Sequence, residues 1–323
     1  MQSEANPNVT RSRLVLEIAS EMIGRDKPRE NPDYYQAKIV LRPGASPTAG
    51  KGVTLFGSST AEGIYAVANR EVDVAIINPA CVASVAALGK GIFKNPIPLR
   101  AIAVIPSWDQ MVFAVHAKTG LKTFEEIAEK RYPLRVSMRG MPEHTLHHMF
   151  DDVAAAAGFS RDDIKKWGGE VVKEGGLAYP DAPKFGQLVR GEIDAIFDEA
   201  SQFWVNEAMD EGVTMLTLAE STVKKLEAMG YRRAIMPQSV FKKLPADVLT
   251  IDFSGWTVFC HAETDDKVVT DICAALEARK ARIPWEEPGA IPTERMARET
   301  PDTPQVIPLH PAAERYWRKL GYI

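Results

Sequence analysis

Apolar residues in this chain of 323 residues fall in short runs that alternate with segments of helical periodicity. The runs predict strands at residues 38–41, 99–105, 111–115 and 134–138, and the helical segments predict helices at 13–24, 123–129, 146–157 and 312–320. Gly158 stands where the third of these helices should end in a left-handed turn. Alternation of buried strands with helices is typical of an α/β protein with mixed, mainly parallel sheets.

Two segments with the same local pattern indicate two similarly built lobes. Residues 65–77 and 185–197 each predict a helix, a tight turn and a buried strand, with Asp73 and Asp194 in matching positions 121 residues apart. We expect one lobe to be inserted in the other: residues 1–115 with 220–323 form lobe I, and residues 116–219 form lobe II.

Polar residues that directly follow the predicted strands are the candidate ligand-binding residues. In open parallel sheets, ligands bind beyond the carboxyl ends of the strands or between lobes. The candidates are Ser58, Ser59, Thr60, Asn78, Trp108, Gln110, Arg139, Asp198, Glu199 and Ser201.

Five of these candidates have a specific predicted role. Ser58-Ser59-Thr60 precedes Glu62 as in a capping box, and a helix N-terminus there offers free N–H groups to an anion, or is a cap alone. Arg139 is either a bidentate clamp for a carboxylate or a solvated loop charge. Trp108 either stacks on a ligand or packs as a core or hinge residue.

Composition narrows the function classes. A net charge of −4 provides no basic field for nucleic acid. The three cysteines, Cys81, Cys260 and Cys273, are too scattered for a disulfide framework or a metal site and are expected to be buried thiols. No apolar run approaches the roughly 20 residues that span a bilayer. Residues 1–13 are polar, so we expect a periplasmic location if a signal peptide has been removed and a cytoplasmic one otherwise.

Motifs for catalysis, cofactors and metals are weak in this chain. The glycine-rich segment 42–52 lacks the spacing and the hydroxyl of a phosphate loop. His144 and His148 have the i, i+4 spacing of zinc ligands but no third ligand at a defined spacing, so we predict no metal and no cofactor. A GxSxG nucleophile motif is missing, which favours a binding protein over an enzyme.

Several segments together resemble the TAXI family of TRAP-transporter solute-binding proteins. They are residues 66–78, 99–104, 120–127, 135–138, 191–197 and, most specifically, 307–321 with its Leu-His-Pro run before an aromatic, basic helix. The resemblance implies a type II periplasmic-binding-protein fold with two lobes that close on a small organic acid, and a membrane permease as partner.

The chain also departs from the family pattern. It opens with a helix where the family has a strand and a ligand-contacting loop. After the strand at 134–138 it has Arg139 to His144 where the family has a short turn of small residues, and only Thr145 matches by type, so Thr145 joins the candidate binding residues. Glu143 would repel a carboxylate.

Two other functions stay open at this point. Relatives with the same fold act as decarboxylases or in thiamine-precursor synthesis, so an enzyme acting on a small carboxylate is one alternative. A cytosolic sensor that reports ligand binding to a partner protein is the other.

Overall fold

A computed structural model describes residues 7–23, 34–45, 49–58 and 60–323 of the chain. The strands are β1 Ala37–Leu41, β2 Val53–Gly57, β3 Val74–Ile77, β4 Leu99–Ile105, β5 Val112–His116, β6 Arg135–Met138, β7 Glu170–Lys173, β8 Ala195–Asp198, β9 Val213–Met215, β10 Arg233–Met236, β11 Val248–Ile251 and β12 Trp256–His261. The α-helices are α1 Pro7–Ile23, α2 Glu62–Ala68, α3 Cys81–Ala87, α4 Glu126–Glu129, α5 Thr145–Ala157, α6 Arg161–Lys166, α7 Pro183–Val189, α8 Val205–Asp210, α9 Glu220–Glu227, α10 Asp266–Arg279 and α11 Pro311–Lys319. Short 3₁₀ helices lie at Ala117–Thr119 and Ser201–Phe203.

Two five-stranded sheets form the framework of the molecule. The first has the order β1-β2-β3-β12-β4, and the second has the order β7-β6-β8-β5-β9. In the first sheet β2, β3 and β4 share one direction, and β1 and β12 oppose them. In the second sheet β5 alone opposes the other four strands. The predicted fold class, α/β in two lobes with mixed, mainly parallel sheets, is confirmed.

Strands β12 and β5 explain why so many hydrogen-bonded pairs are antiparallel in sheets whose strands mostly run one way. β12 lies between β3 and β4, which are parallel to each other, and β5 lies between β8 and β9 in the same manner. Each lobe is therefore a parallel core with one reversed strand inserted beside its centre.

The division of the chain between the lobes remains a prediction. β5 belongs to the second sheet although residues 112–115 fall in the predicted lobe I. Met236, Phe241 and Val248 pack in one cluster with Val112 and Trp204 of the second lobe. These contacts favour boundaries before residue 112 and after residue 248.

The predicted repeat is confirmed in its hydrogen bonding. Thr54 N donates to Asp73 Oδ2 at 2.8 Å, and Asp73 N donates back to Thr54 O at 3.0 Å. In the second lobe Arg135 N donates to Asp194 Oδ2 at 3.0 Å, and Asp194 N donates to Arg135 O at 2.8 Å. In both lobes the aspartate thus joins the start of its own strand to the start of a neighbouring strand.

The proline-rich segment 282–308 packs differently from the surface crossing that its composition predicts. It has no long helix or strand, but Ile291, Met296 and Ile307 are buried. Val104 N in β4 donates to Met296 O at 2.7 Å. The segment therefore covers β4, because its prolines still leave apolar side chains free to enter the core.

The C-terminal Leu-His-Pro run has a structural role. Leu309 forms a parallel bridge with Ala101, and His310 caps α11 because its Nδ1 accepts from Ala312 N at 3.2 Å. Trp317 is fully buried, and its Nε1 donates to Ile102 O at 2.8 Å. The run fastens the last helix to β4.

Three further predictions concern the cysteines, the first helix and membrane-spanning helices. The three cysteines are free and buried, as expected. Helix α1 covers the predicted 13–23, while Gly24 lies outside the described residues. No helix in the described part of the chain is long and apolar enough to cross a membrane.

Candidate ligand-binding site

A cleft of about 540 Å³ opens between the carboxyl ends of the two sheets. Loops after β3, β4, β6 and β8 supply most of its wall, as the position of polar residues after strands predicts. The lining residues are Tyr35, Asn78, Ser107, Trp108, Asp109, Arg139, Met141, His144, Leu177, Tyr179, Glu199, Ala200, Gln202, Phe203, Trp256, Glu286 and Glu287.

Arg139 lies in the wall of the cleft but is already paired with carboxylates of the protein. Its side chain is 13% exposed, and its Nε donates to Asp198 Oδ1 at 2.6 Å. One of its terminal NH2 groups donates to Glu199 Oε1. The pKa of Arg139 lies above its ordinary value. Burial lowers this pKa, but the nearby charges of Asp198 and Glu199 raise it by more, so the guanidinium stays charged. Its charge is therefore largely balanced within the protein.

Lys184 is a second cation beside Asp198, buried behind the wall of the cleft. It is 2% exposed, its Nζ donates to Met138 O at 3.1 Å, and it lies 3.8 Å from Asp198 Oδ2. Burial lowers its pKa, and the charge of Asp198 opposes that change. Asp198 Oδ2 has no hydrogen-bond partner within the described residues. Asp198 thus lies between two cations and is inaccessible to solvent.

Glu199 is the acidic group at the floor of the cleft. Burial raises its pKa to about 8, although Arg139 opposes the rise. His144 Nε2 lies 3.5 Å from Glu199 Oε1, and burial followed by the charge of Arg139 lowers the pKa of His144 well below its usual value. At neutral pH the floor therefore combines a neutral imidazole with a carboxyl group that is poised to titrate.

Asp109 joins the two lobes beside the cleft. Its Oδ1 accepts from Gln110 N at 2.7 Å, from Ser201 N at 3.0 Å and from Ser201 Oγ at 3.1 Å, while its Oδ2 accepts from Ala200 N at 2.6 Å. Burial raises the pKa of Asp109, and these donors oppose the rise. The network holds the loop after β8 against the segment that leads from β4 to β5.

Aromatic side chains complete the wall. Trp108 stacks on Phe241 with ring centroids 6.4 Å apart, and Tyr179 meets Phe203 edge-to-face at 6.0 Å. Phe203 is 55% exposed. These rings give part of the cleft wall an apolar surface.

A family model matches residues 51–321, which is most of the chain. The chain belongs to the NMT1-like family. No curated protein sequence matches the chain.

Several solved structures resemble this NMT1-like protein at low identity, among them that of a periplasmic binding protein. The aliphatic sulphonate binding protein SsuA of Escherichia coli is 14% identical over 67% of this chain and 56% of its own, with a TM-score of 0.34. A TctC solute binding protein from Polaromonas is 18% identical over 64% of this chain and 62% of its own, with a TM-score of 0.35. The chain thus spans less than two thirds of either protein. A protein of Bordetella bronchiseptica RB50 is 13% identical over 82% of this chain and 86% of its own, with a TM-score of 0.41.

The NMT1-like chain brings most of the predicted binding residues to the cleft or directly behind it. Asn78, Trp108, Arg139 and Glu199 line it. Gln110, Thr145, Asp198 and Ser201 are buried behind the wall. Thr145 Oγ1 donates to Asn78 O at 2.9 Å, and Ser201 Oγ, which donates to Asp109, lies 3.1 Å from Gln110 Oε1. Their contacts position the lining residues.

The capping-box residues lie outside the lining. Helix α2 begins at Glu62 after Ala61, which provides no side-chain cap, and Thr60 Oγ1 accepts from Glu62 N at 3.3 Å. Thr60 is buried and forms a bridge with His144, while Ser58 Oγ lies 2.9 Å from Thr60 Oγ1. Ser59 lies outside the described residues. The helix start thus contacts the other lobe beside the cleft.

Several lining residues were not predicted from the sequence. Glu286 and Glu287 come from the proline-rich segment, Trp256 begins β12, and Tyr35 precedes β1. The sequence candidates were the polar residues that directly follow predicted strands. None of these four residues follows a parallel strand, so they were not among the candidates.

The histidines of α5 have separate structural positions. His144 Nδ1 accepts from Leu146 N as the cap of α5, and His147 Nε2 lies 2.9 Å from Met141 O. His148 lines a small separate cavity with Asp152 and Tyr231. Among the described residues, no group of three histidines, cysteines or acids could hold a metal ion.

Proposed function

We propose that this protein is the solute-binding subunit of an uptake system of the TRAP type, as the TAXI-family resemblance of residues 307–321 implies. It captures a small organic solute in the cleft and delivers it to a membrane permease. A periplasmic location fits this role. The observation that carries the proposal is the enclosed wall of polar and aromatic side chains, which both lobes contribute.

The arrangement of the lobes supports capture by closure. Thr60 of the first lobe bridges to His144 of the second, and Thr145 Oγ1 donates to Asn78 O. Both contacts lie beside the cleft, where a change in the spacing of the lobes would open or close it. Behind the cleft the lobes share one hydrophobic cluster, which includes Val82 and Val85 of the first lobe and Met149 of the second, so hinge motion around a ligand would pivot on that side.

Two ligand classes are consistent with this function. An organic acid, the class that the sequence favours, would take Arg139 as its partner and would have to displace Glu199 from it. A cation would instead use Glu199 and the other carboxylates of the wall. A solute-binding protein needs only such reversible charge pairing, and no covalent step.

One observation favours an enzyme as a second candidate. Glu199, with its raised pKa, lies beside the neutral His144 in the cleft, and paired groups with perturbed pKa values are typical of acid–base sites. In this alternative Glu199 and His144 would exchange a proton with a small bound substrate.

Native mass spectrometry and calorimetry of the purified protein test the proposal. We expect one small solute per chain, bound without conversion, and a lower radius of gyration by small-angle scattering when the solute is present. Trp256→Ala removes a wall residue and should weaken binding. Trp167→Ala changes a partly buried tryptophan that directly follows α6 and does not line the cleft, so it should leave binding unchanged. Conversion of the solute above a control without protein would support the enzyme instead.

A further inference from the structure

Carboxylates outnumber cations in the wall of the cleft. The acidic lining residues among those described are Asp109, Glu199, Glu286 and Glu287, and Arg139 is the cationic one. His144 contributes no charge at neutral pH because burial lowers its pKa well below its usual value. Glu199 is mainly protonated at neutral pH because burial raises its pKa to about 8, so Asp109, Glu286 and Glu287 supply the excess of negative charge that attracts a cation and repels an anion.

The charge of Arg139 does not reverse this balance. It is shared between Asp198, which is fully buried, and Glu199. A ligand carboxylate that reached Arg139 would lie close to both acids, and like charges within a few ångströms in a partly desolvated site repel strongly. Glu199 is mainly protonated below its pKa of about 8, so at neutral pH the repulsion of an anion comes from Asp198 and from the other acids of the wall.

The aromatic residues add a second attraction for cations. Trp108, Tyr179, Phe203 and Trp256 present ring surfaces in the same wall. A ring face attracts an ammonium group, and tryptophan does so best. Rings beside carboxylates form a surface that matches an organic cation with an apolar body.

Asn78 provides a hydrogen-bond acceptor in the same place. Its Nδ2 faces Glu199 Oε2 at 3.5 Å, and its Oδ1 is buried without a hydrogen-bond partner within the described residues. Buried acceptors are normally satisfied, so this oxygen is available to a hydrogen-bond donor when the side chain turns toward the cleft. An N–H group of a cation would supply it.

From these observations we infer that the solute is an organic cation, an amine or a nitrogen heterocycle with an apolar or aromatic body. It is held between the acids Glu199, Glu286 and Glu287 and the rings of Trp108 and Trp256. This inference rests on the proposed function, because it names the ligand class of the same cleft.

Charge-matched probes test the ligand class. Thermal unfolding is measured with benzylamine against benzoate, phenethylamine against phenylacetate, and putrescine against succinate. We expect at least one cation to raise the melting temperature while its matched anion does not. Calorimetry of the stabilising cation should then show that E286Q combined with E287Q weakens binding about tenfold, which corresponds to about 1.4 kcal/mol.

The control is Glu211→Gln, which removes an exposed carboxylate at the end of α8 outside the cleft and should leave the affinity unchanged. Stabilisation by the anions, an unchanged affinity in the E286Q and E287Q double variant, or no binding of any cation would overturn the inference. Binding of an anion without conversion would still leave the solute-binding function standing. Conversion of a bound probe to product would instead count against the function itself.

Discussion

Asn78 and Glu199 lie 121 residues apart, the same spacing as the repeat aspartates Asp73 and Asp194, and meet across the cleft with Nδ2 and Oε2 3.5 Å from each other. Each is the first residue after the corresponding buried strand, β3 or β8. The residue that follows the corresponding strand therefore lines the same cleft in both lobes. The chemistry differs because one lobe places an amide there and the other a carboxyl group.

The pairing of Arg139 with two acids predicts that Arg139 contributes mainly to stability. Arg139→Ala leaves Asp198 buried with only Lys184 nearby, at 3.8 Å. Breaking a buried ion pair by removing one partner costs about 3–5 kcal/mol. We expect urea unfolding to show a loss of this size. Arg190→Ala, which removes a solvent-exposed pair with Glu192, is the matched control and should cost much less, because water screens an exposed pair. Equal losses in the two variants would contradict the prediction.

The raised pKa of Glu199 predicts that ligand binding depends on pH. Below its pKa of about 8 the carboxyl group is mainly protonated, so affinity for a cation should rise as the pH increases from 6 to 9 and then level off. Affinity for an organic acid should fall over the same range. Calorimetric titration at several pH values distinguishes the two cases, and Glu199→Gln should flatten the profile. The charged and titratable groups that face Glu199 are Arg139, Asp198, Asp109, His144 and Glu286.

Buried histidine predicts a loss of stability in acid. Burial, followed by the charges of Lys173 and Arg161, lowers the pKa of His147 to about 4 from an ordinary value of 6.5. Between these pH values the unfolded chain binds the proton and the folded chain does not, so stability falls as the pH falls from about 6.5 toward 4. His147→Gln retains a donor for Met141 O but does not titrate. The free energy of unfolding of the His147→Gln variant should decline less than that of the parent between pH 7 and pH 5. An equal decline in both proteins would show that His147 does not cause the loss of stability in acid.

The two repeat aspartates predict unequal losses of stability. Asp194 is 5% exposed and accepts from Arg135 N, Nε and NH2 at 2.9–3.0 Å. Asp73 is half-buried and accepts from Thr54 N at 2.8 Å. Since an unpaired buried donor costs about 1–3 kcal/mol, Asp194→Ala should destabilise the protein by at least that amount and more than Asp73→Ala. Denaturant unfolding of both variants provides the comparison, and a larger loss for Asp73→Ala would contradict it.

Local patterns in the sequence were sufficient for much of the fold. The strand predicted at 99–105 is β4, and the helix predicted at 146–157 is α5, which ends at Gly158 with φ of 94°. Helical periodicity and a left-handed turn after a helix depend on residues that are adjacent in sequence, so they can be predicted without the tertiary structure. The helix predicted at 123–129 is shorter, α4 Glu126–Glu129, because the chain at 123–125 forms a bridge and a turn.

The sequence by itself determined the α/β class, the repeat and the position of the cleft beyond the strands, because each follows from local periodicity or from the residue after a strand. Only the tertiary structure decided what the cleft offers a ligand. Arg139 is paired with Asp198 across 59 positions, and Glu286 reaches the wall because its proline-rich segment folds back over β4. Partners that are distant in sequence set the free charge of a site, and local patterns do not specify them.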